Sequence, residues 1–215
     1  MTLPQTADEV LTTTRSVRRR LDFDRPVPRA LIEECLDLAL QAPNGSNLQL
    51  WQWLVVDDRK LIEEVARLYN EAISWYSEQV NSGQENVYAS GPPARFEQMT
   101  ESVLYLAENL HRSPALLIPC IAGRLDRASV FHQASMWGSI LPATWSFMLA
   151  LRSRGLGSAW TTVHLHREKE TADLVGIPYE EYTQAGLFPV AYTLGSDFRR
   201  AVREPLSSVL HWNAW

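Results

Sequence analysis

The sequence predicts an α+β domain built around a small sheet. Three observations carry that prediction. Helix-period apolar patterns outnumber strand-like runs, and the two kinds are interleaved along the chain rather than segregated. The 215 residues are 46% hydrophobic and 21% charged, a balance that supports a substantial core. Residues 1–215 read as a single domain, with no internal repeat, heptad seam or low-complexity segment dividing them.

Residues 6–14 read as a short helix, with Val10 and Leu11 apolar and Thr6 or Asp8 able to cap it. The run "DFDRPVPRA" then breaks regularity, and Pro28 fits the start of a helix over about 28–41. Its apolar positions Leu31, Ile32, Cys35, Leu36, Leu38 and Ala39 recur at helical spacing. "APNGSNLQLWQW" (42–53) is turn chemistry running into alternation, so a strand is expected over 51–57, with Trp51 and Trp53 anchoring the turn. A helix over 59–78 has Leu61, Ile62, Val65, Leu68 and Ile73 on one side. The stretch 81–93 is the most loop-like, stopped by Gly91-Pro92-Pro93. A helix over 94–111 leads to a strand at 115–122. A long helix free of charged residues follows, ending at "RSRGLG", where Gly155 suits a left-handed position. Strands are expected at 157–165 and 186–195, flanking a short helix over 168–175 that Gly176 closes.

Composition excludes several classes. The formal net charge is −5, and the cluster Arg15, Arg18, Arg19, Arg20 is local, so no nucleic-acid partner is expected. The two cysteines, Cys35 and Cys120, form neither a disulfide framework nor a metal spacing. Both read as core thiols, in keeping with a reducing cytoplasm. The opening MTLPQTADEV lacks a basic region followed by an apolar one, so no secretory signal is read there. Ala128 to Leu151 carries no Asp, Glu, Lys or Arg, but its His, Gln, Ser and Thr residues and Pro142 argue for a buried helix and no membrane partner. That helix, with a tail ending in Trp212 and Trp215, is more apolar surface than one small sheet covers, which points to a homodimer.

Three stretches are candidates for chemistry. Arg15-Ser16-Val17-Arg18 offers two guanidiniums and a hydroxyl suited to a phosphate, or else a solvated basic face. A second cationic segment, Arg199, Arg200 and Arg203, is far off in sequence and able to close on the same anion. Asn44, Gly45, Ser46 and Asn47 supply amides and a glycine, as a ligand cradle or as a plain helix-to-strand connection. "GLGSAWTT" (155–162) lacks the third glycine of a dinucleotide fingerprint and precedes a strand, so a Rossmann reading fails. His164 and His166 have no third ligand at a familiar spacing, and no metal is expected. Without an obvious acid–base set, a cofactor is the natural carrier of the chemistry.

Taken in order, these pieces resemble the FMN-dependent nitroreductase family. The matching elements are Arg15-Ser16-Val17-Arg18, Ala42 to Trp51, Gly155 to Thr161, Arg203-Glu204-Pro205-Leu206 and His211-Trp212. The resemblance implies a small central mixed sheet surrounded by helices and a homodimer with flavins at its interface. It also implies FMN as cofactor and NADH or NADPH as co-substrate. Arg15 and Ser16 then match phosphate ligands, with Arg203 closing from the C-terminus. Arg18 matches the basic position at the flavin's pyrimidine edge, where negative charge develops on reduction. Pro43, Asn44, Gly45, Asn47 and Gln49 lie in the segment that the partner chain lends. Trp160, Thr161 and Thr162 match the strand edge beside the isoalloxazine, where a backbone N–H faces N5. Leu50 stands where family members usually carry Pro, and Asn44 where Ser or Thr is common. The span 75–112 corresponds to the family's variable segment over the flavin, and no motif assigns its role.

The expected activity is therefore ping-pong hydride transfer from NAD(P)H through FMN to a flat electron-poor acceptor, a nitroaromatic or a quinone. No side-chain nucleophile is expected. The rivals are a flavin enzyme of the same fold with another substrate or a deazaflavin donor, and a flavin-binding storage or regulatory protein.

Overall fold

A sheet with β3 at its centre organises the chain. The computed structural model describes residues 3–81 and 93–215, so all but the two end positions of the loop expected at 81–93, and with it the middle of the 75–112 span, lie outside the described residues. The helices are α1 (Ala7–Thr13), α2 (Arg29–Ala39), α3 (Arg59–Asn81), α4 (Pro93–Asn109), α5 (Val130–Ser153) and α6 (Glu168–Val175). The strands are β1 (Leu21–Asp22), β2 (Trp51–Val56), β3 (Ala115–Ala122), β4 (Leu156–Ser158), β5 (Tyr182–Gln184) and β6 (Phe188–Thr193). The order is β1-β6-β3-β2, with β4 also paired to β6 and β5 to β3. Every ladder is antiparallel; the parallel pairing among the described residues is the isolated bridge between Ser16 and Ser158.

The alternation of β3 divides the core. Leu116, Ile118 and Cys120 face a cluster with Ile62, Val65 and Tyr69 of α3 and Leu106 of α4. Ala115 and Leu117 face the other side, against Ile32 and Cys35 of α2 and Phe147, Met148 and Leu151 of α5. Strand pleating sends successive side chains to opposite faces, so one apolar run serves two helical layers. The cysteines sit on opposite sides of the sheet, both buried and unpaired. Burial raises their pKa values, Cys35 to about 11 and Cys120 to about 12, so neither is a ready thiolate.

The local signals hold at most boundaries. Thr6 caps α1 in a reciprocal box, its hydroxyl accepting from the Glu9 amide while Glu9 accepts from the Thr6 amide. Trp51 is buried at the start of β2, and Trp53 packs partly buried between the two clusters on that side. Gly155 and Gly176 take left-handed φ of +73° and +76° after α5 and α6. The uncharged stretch forms α5, and no described helix is long and apolar enough to cross a membrane.

The strand expected over 157–165 is corrected. β4 stops at Ser158, Thr161 makes an isolated bridge to Leu187, and 163–167 is a 3-10 turn. The ladder ends because the Trp160 amide donates to the Ser16 hydroxyl instead of to a neighbouring strand. His164 and His166 therefore do not share a strand face: the first is buried and the second exposed. No group of potential metal ligands occurs among the described residues.

A buried polar network fixes that turn against α6 and β5. Glu168 takes a two-pronged bond from Arg124, 2.8 and 3.0 Å, and accepts from the Gln184 amide. The Gln184 side-chain amide donates to the Glu168 carbonyl, which leaves its Oε1 to accept from His164 Nε2 at 3.2 Å. That assignment makes His164 the Nε2–H tautomer, with an unpartnered Nδ1.

Candidate active site

Two clefts carry most of the candidate residues, and no residue lines both. The first forms where the chain leaves α1 and runs beside β4. Val17 donates its amide to the Ser158 carbonyl at 2.8 Å, which fixes the direction of its neighbours. Gly157 permits this approach, since a Cβ there would lie 2.7 Å from Thr193 Cγ2 and 3.2 Å from Val17 Cβ. Val17 enters the core, and the Ser16 hydroxyl accepts from the Trp160 amide at 3.1 Å.

Arg15, Ser16, Arg18 and Arg199 line a cleft of about 480 Å³. Nε and Nη2 of Arg15 and Nε of Arg18 are buried there with no hydrogen-bond partner. Buried donors without acceptors are costly, and guanidiniums without carboxylates fit an anion. Among the described residues neither Arg15 nor Arg18 forms an ion pair. Burial lowers the Arg18 pKa from its ordinary value, and the nearby Tyr69 opposes that shift. Arg18 also reaches the Ser102 hydroxyl of α4 at 3.5 Å. Arg203 lies in the exposed tail, where its guanidinium contacts the Val202 carbonyl, and it does not line this cleft.

The 160–162 segment lies alongside. Tyr69 of α3 shares a 2.9 Å hydrogen bond with the Thr161 hydroxyl. The Thr161 amide donates to the Leu187 carbonyl at 3.2 Å, and the Trp160 amide is taken by Ser16. The Trp160 and Thr161 amides are thus committed within the chain. Thr162 is exposed.

The second cleft, about 570 Å³, is lined by Asp37, Leu40, Pro43, Asn44, Asn47 and Gln49, among others. The turn above it is tightly wound. Ser46, Asn47 and Gln49 all have positive φ, 51°, 54° and 53°. Each left-handed non-glycine residue costs about 1 kcal/mol. Asn44 holds the turn by accepting the Gln49 amide at 2.9 Å. Gly45, expected to admit a ligand, lies close against the chain's own α5. Its amide donates to the Ser139 hydroxyl at 2.9 Å, and a Cβ would lie 2.7 Å from Ser135 Oγ.

The turn thus rests on the middle of α5 at Ser139, while Arg152, near the C-terminal end of that helix, packs on Phe198 of the arginine cleft. The rise of an α-helix puts those positions about 20 Å apart. Sequence reasoning missed Tyr69, Ser102, Arg152 and Phe198 around the first cleft. Tyr69 had a signal: it falls on the apolar face of α3 between Val65 and Ile73, where a phenol needs a partner for its hydroxyl. Ser102 had none.

The sequence pattern of the Nitroreductase family matches residues 11–192. An iodotyrosine deiodinase of Thermotoga neapolitana is 27% identical over 180 residues, covering 83% of this chain and 84% of its own. In fold, the chain is similar to a BluB-like flavoprotein from Clostridium difficile 630. The TM-score is 0.70 at 18% identity, covering 97% of this chain and 99% of that one. It is also similar to an FMN and NADPH-dependent nitroreductase from Sphigopyxis sp. strain HMH. There the TM-score is 0.68 at 20% identity, covering 98% of this chain and all of that one.

Proposed function

This chain belongs to the nitroreductase family, and we propose that it is an FMN-dependent NAD(P)H oxidoreductase acting on flat electron-poor acceptors such as nitroaromatics and quinones. The observation that carries this reading is the unpaired, buried guanidinium edge of Arg15 in a cleft beside residues 160–162. Orphan donors of that kind fit the phosphate of FMN.

Bound FMN would supply the redox chemistry, taking a hydride from the nicotinamide and passing electrons to the acceptor in a ping-pong cycle. The protein's own part is orientation and charge. Arg15 and the Ser16 hydroxyl, whose oxygen is already held by the Trp160 amide, bind the phosphate end. Arg199, which lines the cleft, and Arg203, exposed further along the tail, are its C-terminal cations. Arg18 stabilises negative charge at the pyrimidine edge; its partial burial strengthens that effect. Trp160 and Thr161, bonded through their amides to Ser16 and Leu187, would hold the 160–162 segment beside the ring, with the Thr162 amide as the donor toward it.

Pro43, Asn44, Gly45, Asn47 and Gln49 act on the partner subunit's cofactor in a homodimer. Two observations support the dimer: the turn and the arginine cleft of one chain share no lining residue. Val130, Phe131, Leu206, Trp212 and Trp215 are also exposed apolar groups. The cytoplasm is the proposed compartment, in keeping with two free buried thiols.

A second reading is reductive removal of halogen from an aromatic substrate, favoured by the relative named as an iodotyrosine deiodinase. Anaerobic titration tests the main reading. Yellow protein bleached by NADH or NADPH supports a nicotinamide-driven reductase. Yellow protein that neither donor bleaches favours a deazaflavin donor or a storage role. Protein that stays colourless after incubation with FMN overturns the reading.

A further inference from the structure

Behind the arginine cleft, near the end of α5, Arg152 is only 5% exposed. Its Nε donates to the Thr13 hydroxyl at 3.3 Å and its Nη2 to the Ser196 carbonyl at 2.9 Å. Nη1 is buried without a partner. Among the described residues no carboxylate pairs with it, and the charges that act on it are of its own sign. Burial, Arg20 and Arg15 all pull its pKa below the ordinary value. The one carboxylate lining the cleft, Asp197, is already held by Arg20 at 2.6 Å. The Phe198 ring is shared by two cations, with Arg20 Cζ 4.3 Å and Arg152 Cζ 4.8 Å from its centroid.

A buried guanidinium among like charges is unfavourable until an anion completes the set. The cleft in front of it is where an anion fits, since Arg15 presents its own unpaired donors there. We propose that Arg152 is a positioning residue of the anion cleft, whose uncompensated charge makes the cleft select a doubly ionised phosphate monoester. Its bonds to the 196–198 segment also hold Arg199 at the cleft. This inference rests on the first cleft being the phosphate end of the flavin site.

The test uses the full-length chain freed of flavin, in wild-type form and as Arg152→Met, Arg152→Gln and Arg152→Lys. Affinities for FMN and for riboflavin, which lacks the phosphate, are measured by fluorescence quenching. Melting temperatures are measured with and without inorganic phosphate. The neutral variants are expected to lose about tenfold in FMN affinity while riboflavin changes by less than about twofold. Their phosphate-dependent rise in melting temperature shrinks, and Arg152→Lys retains most of the FMN preference. Either neutral variant suffices if the other does not fold. A residue that serves folding alone would weaken FMN and riboflavin together and leave the phosphate-dependent rise intact, which overturns the proposal. If the wild-type chain binds FMN no more tightly than riboflavin, it is the phosphate reading of the cleft that has failed.

Discussion

Tyr69 and Thr161, 92 residues apart in sequence, meet in a buried hydrogen bond of 2.9 Å. That bond ties α3 to the segment that leaves the sheet after β4. It makes one helix of the sheet's α3/α4 side responsible for the edge of the proposed flavin site. Tyr69→Phe should leave the Thr161 hydroxyl buried and unpartnered, at a cost of about 1 kcal/mol in urea unfolding. Adding Thr161→Val should cost less than the sum of the single changes, because both partners are then removed. Additive losses would show that the two groups are energetically independent.

Arg18 has a partly buried guanidinium with no carboxylate partner among the described residues. Arg18→Ala is expected to slow anaerobic bleaching of the bound flavin by about 10- to 100-fold. Loss of FMN on gel filtration should be much smaller, because Arg15 and Ser16 remain. Equal bleaching rates in variant and wild type would remove Arg18 from its assigned role.

His164 is held neutral. Burial lowers its pKa from 6.5 to about 4, against the opposing pull of its bond to Gln184. The unfolded chain therefore takes up a proton at a pH where the folded chain does not. Stability from this residue is fully present above about pH 6.5 and falls as the pH drops toward 4. The total loss is about 3 kcal/mol. Urea midpoints between pH 7 and pH 4.5 should show the decline, and His164→Gln should flatten it.

Gly45 packs closely against α5. Gly45→Ala should destabilise the protein by about 1 kcal/mol, since its Cβ would crowd Ser135 Oγ at 2.7 Å. Gly45→Ala with Ser135→Ala should recover most of that loss. Thermal melts of the four proteins decide it, and no recovery would mean the glycine serves something other than this contact.

Legibility in the sequence followed the range of the interactions. α1, α2, β2, β3 and α6 were legible because caps, proline placement and apolar period are local. β1 and β5, two and three residues long, have too few positions for any period to register. The 157–165 run alternates like a strand, but Ser16 takes the Trp160 amide that a strand partner would need. Arg15, Ser16 and Arg18 stood out as a motif, whereas Arg152 looked like part of an ordinary helix stop. Its meaning comes from Phe198 and Ser196, which only the folded chain brings to it.

The separation of the two clefts has a genetic corollary under the proposed pairing. A chain with Arg15 and Arg18 replaced and a chain with Asn44 and Asn47 replaced would each form a dimer with two defective centres. Mixed together, they would yield dimers in which one centre collects both lesions and the other collects none. Two inactive alleles would then complement each other, restoring one working centre per heterodimer.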